Sequence, residues 1–508
     1  MAIASFLAFI LKNHVLYYPL CVQARRAAPR RTGSGKILRE RYGFNLQSGD
    51  RPLKTDMSDP AAHSPFSVNN VRMFIAFRVF FNCRFYYPIF TVLFLDFGLT
   101  VAQFSILNAV WAATIVMAEV PSGALADIIG RRRLLVFAAV SMLVEMAIFC
   151  IAPMGNIPLL FSFFLVNRVL SGLAEAAASG ADEAIAYDAL QARGMADQWG
   201  RVLDVQMRLR SVMFILTMTI GAAVYDPDLM TRMASAVGSD HVFIQSQTLR
   251  FPLYLTFLLA VLALAAVLRL EEICPAPEAD GTCEKPFGGS AMDAFRLTLS
   301  TGGWILKTPF VLAVILFGML FDGILRMVIT LASQYYRLVD LPESVFGILG
   351  SVMAVAGLFI PRLALRIAEN RSPAFCLWTT AATALAGLCG MAFFWPIAGL
   401  FPALVAFSAL YMVGFYVSYF VNQQASSSRR ATVLSFKGLA YNLSYGFIGL
   451  VYAGLLEAKK AGFDAVGMPP QGVENMVFRD TFFWFPLSLA AGLVLMSAGA
   501  LVLRNRKP

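Results

Sequence analysis

The sequence predicts an all-α polytopic membrane protein of 12 transmembrane helices in two six-helix halves, on three observations. Of its 508 residues 58% are hydrophobic and 14% charged, which is more apolar surface than a soluble core can hide. Cutting the chain where charge, Pro and Gly cluster leaves about twelve apolar stretches of roughly 20 residues, the length that crosses ~30 Å of hydrocarbon as helix. These stretches fall as six, a polar break, and six more. None alternates apolar and polar residues with period two, so helices are favoured over a membrane barrel.

The spans of the first half run from Val71 to Leu95, Ala102 to Ala126, Leu134 to Ala152, Leu159 to Ala181, Met207 to Tyr225 and Phe251 to Leu270. Those of the second run from Val311 to Tyr335, Val345 to Ile367, Phe375 to Phe394, Leu400 to Val421, Val433 to Leu456 and Phe482 to Leu503. The domain boundaries that follow are an N-terminal extension at 1–70, halves at 71–270 and 309–503, a central loop at 271–308 and a tail at 504–508.

Lys and Arg placement orients the spans, because loops rich in positive charge stay cytoplasmic. With the N-terminus inside, Arg131, Arg132, Arg133, Arg193, Arg201, Lys285, Arg366, Arg371, Arg429 and Arg430 fall inside. The opposite loops carry fewer cations, such as Arg232, Arg337 and Arg479, mostly beside acids. Both termini are therefore read as cytoplasmic, in a bacterial inner membrane. The net charge of +10 is then topological information, and no nucleic-acid partner is implied. Four of the seven cysteines (Cys83, Cys150, Cys376, Cys389) fall inside spans, and Cys274 and Cys283 fall in the central loop, so no disulfide framework is read. The histidines His14, His63 and His241 lie outside the spans, which argues against a metal or His-based enzyme centre within the membrane. No cofactor is expected.

Residues Met1 to Leu20 are apolar, but Arg25, Arg26, Arg30 and Arg31 follow the apolar run, the wrong order for a secretory signal. Two readings stand: an over-extended start, with translation from Met57 supplying a short polar leader, or an interfacial basic amphipathic anchor.

Between spans two and three the chain reads Glu119-Val-Pro-Ser-Gly-Ala-Leu-Ala-Asp-Ile-Ile-Gly-Arg-Arg-Arg-Leu-Leu. Gly123 allows a neighbouring helix to approach, Gly130 permits a tight reversal, Asp127 caps or pairs at the turn, and the arginines anchor the face. A generic basic turn needs only the arginines. The stretch resembles the signature of the major facilitator superfamily, G-x-L-A-D-x-x-G-R-R-x-x-L, at Gly123, Leu125, Ala126, Asp127, Gly130, Arg131, Arg132 and Leu135. The resemblance implies two halves around a central cavity that alternate access by rocking, with a solute site near the midplane. It also implies a gate: the motif's Asp127 and Arg131 join an acid at the end of span four, to be found among Asp182, Glu183 and Asp188, and latch the outward-open state. The second-half counterpart, Gly357 to Arg371, keeps the basic character but lacks the Asp and second Gly.

Ionisable groups at membrane depth are costly, so they are paired or functional. Span four carries Arg168, Glu175 and Asp182 at seven-residue intervals, near one face. Beside them Gly172, Ala176 and Gly180 form a close-packing seam. Arg168 with Gly172 also resembles the superfamily's span-four R-x-x-x-G, so Arg168 is read either as paired with Glu175 or Glu145 or as a coupling residue. Span seven offers Asp322 and Arg326 in the favourable order for a helical ion pair. Arg84 stands near the centre of span one, with Tyr87 and Thr91 one and two turns on, and Glu119 precedes Pro121 in span two. Arg84, Glu119, Arg168, Glu175, Asp322 and Arg326 are thus the expected cavity residues for substrate or proton. Aromatic stripes on span ten (Tyr411, Phe415, Tyr419) and span eleven (Tyr441, Tyr445, Tyr452) read as packing, or as a site for a flat or amphipathic solute if they face the cavity. Span five has only Gly221-Ala-Ala where antiporter members carry a Gly-Pro-rich motif.

The functional expectation is a monomeric secondary transporter in the lipid bilayer that moves a small-molecule solute by alternating access, with proton coupling. The competing reading is a transport-inactive member that serves as a receptor, assembly factor or lipid-handling partner. No G-x-x-x-x-G-K loop supports ATP-driven pumping. Asp127→Asn is expected to impair transport and shift accessibility toward the inward-facing state; unchanged transport and accessibility would count against the latch.

Overall fold

A computed structural model describes residues 64–272, 300, 302–424, 427–462 and 469–505. Residues 1–63 of the N-terminal extension and most of the central loop, with Cys274 and Cys283, lie outside the described residues, as do the side-chain surroundings of Arg429 and Arg430. So do the side-chain surroundings of Gly123 and Asp127. All described segments are helix, turn or irregular.

In chain order the helices are α1 (Asn69–Asn82), α2 (Phe90–Phe97), α3 (Val101–Ile129), α4 (Arg131–Ile151), α5 (Ile157–Ala178), α6 (Ala181–Gln191), α7 (Trp199–Tyr225), α8 (Pro227–Ala236), α9 (Phe251–Leu268), α10 (Pro309–Thr330), α11 (Ala332–Leu338), α12 (Glu343–Asn370), α13 (Pro373–Met391), α14 (Leu400–Gln424), α15 (Ser427–Ala461), α16 (Pro470–Phe482) and α17 (Trp484–Asn505). Among the described residues eleven crossings are long, apolar helices. The first span, built of α1 and α2, brings the count to twelve. Apolar side chains cover the outer faces, such as Phe137, Val140 and Val144 on α4 and Phe359 and Leu363 on α12, as a bilayer requires. Successive crossings run up and down, so one end of the bundle carries Arg131 and the other carries Asp96.

Apolar stretches read as continuous helices are interrupted, span seven at Leu331 and spans one and four more sharply. Span one leaves helical geometry at Cys83 (ψ 125°), passes through a 3-10 turn at Tyr87–Ile89 and resumes at Phe90. Pro88 supplies no N–H for a continuous ladder. Thr91 therefore does not lie two turns beyond Arg84 on one helix. The freed backbone is met by neighbours: the Phe85 N–H donates to Thr256 Oγ1 (3.1 Å), and the Phe85 carbonyl lies against Gly221, where a β-carbon would come within 1.7 Å of the oxygen. The glycine of span five is thus a packing residue for the break in span one.

Span four is broken as well. Ser179 turns out of the helix (ψ 114°) and Gly180 takes a left-handed φ of 78°. This corrects two expectations: Asp182 belongs to a separate helix and does not share the Arg168–Glu175 face, and Gly180 serves the break and not the seam. Gly172 does mark a close approach, since a β-carbon there would lie 2.8 Å from Thr114 Cβ of α3. Ala176 continues the contact through its carbonyl, which accepts from Ser122 Oγ (2.8 Å).

Gly221→Val is expected to force the Phe85 backbone aside at an overpacking cost of about 1–3 kcal/mol or more. Folded yield and melting temperature in detergent measure it, and a wild-type melting curve would show that the break does not depend on this contact.

Candidate functional site

Near the Arg131 end, Gly130 joins α3 to α4 with φ 95°, a value an L-residue rarely holds. The first N–H groups of α4 then point at Glu272, at the start of the central loop: Glu272 accepts from the Arg131 N–H (2.9 Å) and the Arg132 N–H (2.8 Å). A carboxylate at a helix N-terminus meets both its orphan donors and its dipole. Arg132 reaches on to the Leu268 carbonyl (3.0 Å), and Asn70 exchanges hydrogen bonds with the Glu271 backbone (2.8 and 3.0 Å). Together these contacts fasten the exit of α9 to α1 and α4.

Of the three acids considered for the gate, the structure brings Asp188 to Arg131, in a direct ion pair. Asp182 and Glu183 instead hold Arg78, at 3.1 and 2.5 Å. Arg78 is therefore paired with two acids.

The arginines deeper in the bundle are also paired. Glu145, wholly buried, accepts from Arg84 (3.1 Å) and lies 3.9 Å from Arg168. Arg168 donates to Asn167 Oδ1 (3.0 and 2.7 Å), while Asn167 donates to the Glu145 carbonyl (2.9 Å). The Arg168 guanidinium stands 5.4 Å from the Phe90 ring and 5.5 Å from that of Phe94. Both arginines are only 4% exposed and lie inside the first half. Of the two partners open for Arg168, the structure selects Glu145. In the second half Arg326 pairs with Asp322, donates to Asn442 (2.8 Å) and lies over Tyr445 (5.0 Å).

Two cavities lie between the halves. One, of about 460 Å³, extends toward the Arg131 end and is lined by Glu119, Glu175, Glu183, Arg78, Trp111 and Asn442. The other, of about 310 Å³, is apolar and aromatic, with Tyr87, Phe90, Phe214, Tyr336, Phe346 and Tyr411 on its walls. Of the expected cavity residues, Glu119 and Glu175 line the first. Arg326 reaches its wall through Asn442, while Asp322, Arg84 and Arg168 line neither. Among the aromatic stripes, Tyr411 faces the second cavity. Tyr441, Tyr445 and Tyr452 are buried in helix packing.

Toward the Asp96 end the halves are tied together. Arg337 binds Asp96 through two parallel hydrogen bonds of 2.7 Å each, and the same guanidinium pairs with Glu343. Burial works against the Arg337 charge, but the carboxylates outweigh it and hold the guanidinium above its ordinary pKa. The Tyr225 hydroxyl donates to Asp96 (2.5 Å), Ser333 Oγ accepts from the Thr91 and Val92 N–H groups (3.0 and 3.2 Å), and the Ser344 N–H donates to Asp226 (3.1 Å). Glycines bring the backbones close here: a β-carbon on Gly347 would lie 2.0 Å from the Met218 carbonyl. Sequence reasoning placed Arg337 in a loop beside Asp340 and did not single out Asp96, Glu343, Tyr225 or Glu272. Asp96 and Arg337 lie 241 residues apart, and no local pattern pairs them.

Two helical halves closed on one another at one end, with cavities between them, define a membrane transport protein. A family model described as Major Facilitator Superfamily matches residues 72–449, and the chain belongs to that superfamily. No curated protein matches it. Among solved structures it is similar to a bacterial homolog of the human lysosomal transporter Spinster, in an inward-facing, unoccupied conformation (14% identity, 87% of this chain and 98% of that one, TM-score 0.61). It is also similar to the nucleoside transporter NupG (14%, 84% and 99%, TM-score 0.58) and to the xylose transporter XylE from E. coli, partially occluded inward open (14%, 83% and 96%, TM-score 0.53). At these identities the likeness is one of fold.

For the Arg131–Asp188 pair, Arg131→Gln and Asp188→Asn are each expected to cost about 1 kcal/mol, since both side chains are partly exposed. The double variant should cost little more than either single one, as thermal unfolding in detergent would measure. Fully additive losses would show the two residues acting independently.

Proposed function

We propose that the chain is a secondary transporter that moves a small organic solute across a bacterial inner membrane by alternating access, coupled to protons, and that it works as a monomer. The observation that carries this reading is the Asp96–Arg337 bond joining the halves at one end while a carboxylate-lined cavity lies between them toward the other. A scaffold has no need of a charged, hydrogen-bonded closure opposite an internal cavity. A transporter needs one that forms and breaks. With the Arg131 end cytoplasmic, as the Lys and Arg bias reads, the conformation is inward-facing. The Spinster homolog and XylE structures are described in the same terms.

Proton coupling draws support from Glu119 and Glu175, carboxylates that face the cavity with no cation in salt-bridge contact among the described residues. Such groups can exchange a proton with whichever side the cavity opens to.

Arg337→Ala removes both carboxylate contacts and should weaken the closed end by about 2 kcal/mol, or roughly thirtyfold in population. The expected result in proteoliposomes is slowed counterflow, with reagent access to cysteines introduced on the Asp96 side increased. Access and counterflow identical to the parent protein would remove Arg337 as a gate, and absence of counterflow by the parent with a broad panel of solutes would count against transport itself.

A further inference from the structure

The ion pairs among the described residues leave interior charges unmatched, with two arginines sharing Glu145 on one side and two cavity carboxylates outside any ion pair on the other. Arg78 is held by Asp182 and Glu183, Arg84 and Arg168 by Glu145, Arg131 by Asp188, Arg326 by Asp322, and Arg337 by Asp96 and Glu343. Glu119 and Glu175 have no such partner. Glu119 Oε2 is buried with no hydrogen bond, whereas Glu175 is exposed within the 460 Å³ cavity. The one arginine lining that cavity, Arg78, is already engaged with two acids. An anion entering here would meet unpaired carboxylates and no free guanidinium, and a solute without a hydrogen-bond donor would leave the Glu119 oxygen unmatched.

The walls add a second preference. Trp111 and Phe81 line the acidic cavity, and aromatic faces attract cations. Trp111 packs edge-on against Tyr445 (6.4 Å, 89°), and the Tyr445 hydroxyl is 3.2 Å from Thr330 Oγ1. Thr330 lines the aromatic cavity on the far side. Trp111, Tyr445 and Thr330 thus form a partition between an acidic chamber and an apolar one, both set between the halves. Their volumes lie in the range of small-molecule sites, ~300–1,000 Å³.

From this arrangement we infer that the solute is an amphipathic organic cation, with its positive group held by Glu119 and Glu175 and its apolar or aromatic body directed past the Trp111–Tyr445 partition toward the aromatic cavity. The inference rests on the transport reading for its biological meaning but not for its test. Because proton and cation would occupy the same carboxylates, a probe that carries a permanent charge and cannot itself be protonated or deprotonated is needed.

The experiment measures binding of radiolabelled tetraphenylphosphonium to the purified full chain by equilibrium dialysis, with tetraphenylborate, of the same shape and opposite charge, as competitor. The expected result is saturable phosphonium binding that the borate does not displace. Affinity should fall by about tenfold or more in Glu119→Gln/Glu175→Gln, and by less than about threefold in Asp204→Asn, a carboxylate outside both cavities that pairs with Arg208. Displacement by the borate as effective as by unlabelled phosphonium would overturn the inference on the unaltered protein, whatever the variants do. So would absence of saturable phosphonium binding, or wild-type affinity in the double variant. Binding measured in this way is independent of transport: phosphonium bound selectively with no counterflow would uphold the site and sink the transport reading, whereas counterflow with charge-blind binding would do the reverse.

Discussion

A charged side chain in hydrocarbon must be neutralised by a neighbour or reach water, and this constraint organises the molecule. Where one carboxylate meets one or two arginines in the interior, as Glu145 does with Arg84 and Arg168, the result is a fixed internal strut. Glu145 is wholly buried and both arginines nearly so, so breaking the cluster would strand a charge. Where the pair joins different halves, as Asp96 and Arg337 do, the same chemistry becomes separable, because each partner can turn to water when the halves part. Where carboxylates face a cavity unpaired, as Glu119 and Glu175 do, the constraint is left open for a ligand or a proton to close.

The interruption of span one connects these parts. Continuous helix through Pro88 would have denied Phe85 its bond to Thr256. The break also places Arg84 beside Glu145 and lets Thr91, on the second segment, meet Ser333 of the other half. Gly221 accommodates the displaced carbonyl on the same helix that brings Tyr225 to Asp96 in the closure. At the opposite end Glu272 plays a related part. By accepting from the first N–H groups of α4 it anchors the start of the central loop to the motif turn, beside the Arg131–Asp188 pair.

Much of this was legible in the sequence because it depends on local spacing. Apolar stretches of bilayer length located the crossings, Gly130 and the following arginines marked the turn, and the four-residue step from Asp322 to Arg326 announced their pair. What escaped depends on distance or on small local departures inside apolar runs. The break at Ser179–Gly180 lies within a stretch whose composition continues unchanged, so seven-residue spacing wrongly carried Asp182 onto the face of Arg168. Asp96 and Arg337 each look like ordinary loop-edge charges until the halves meet. The sequence offered three acids for Arg131, and only tertiary packing selected Asp188 and gave the other two to Arg78.

The central claim is that the two halves pivot between closure at the Asp96 end and closure at the Arg131 end. Its most direct measurement is the distance between spin labels by double electron–electron resonance, after replacement of the native cysteines. One pair, at Met154 and Ala398, reports the Asp96 end; a second, at Arg193 and Asn370, reports the Arg131 end. The account predicts reciprocal changes: conditions that lengthen the first distance shorten the second, with the Arg337→Ala variant displaced toward the long-first, short-second population. Distances that stay fixed at both ends under every condition, or that lengthen and shorten together, would contradict it.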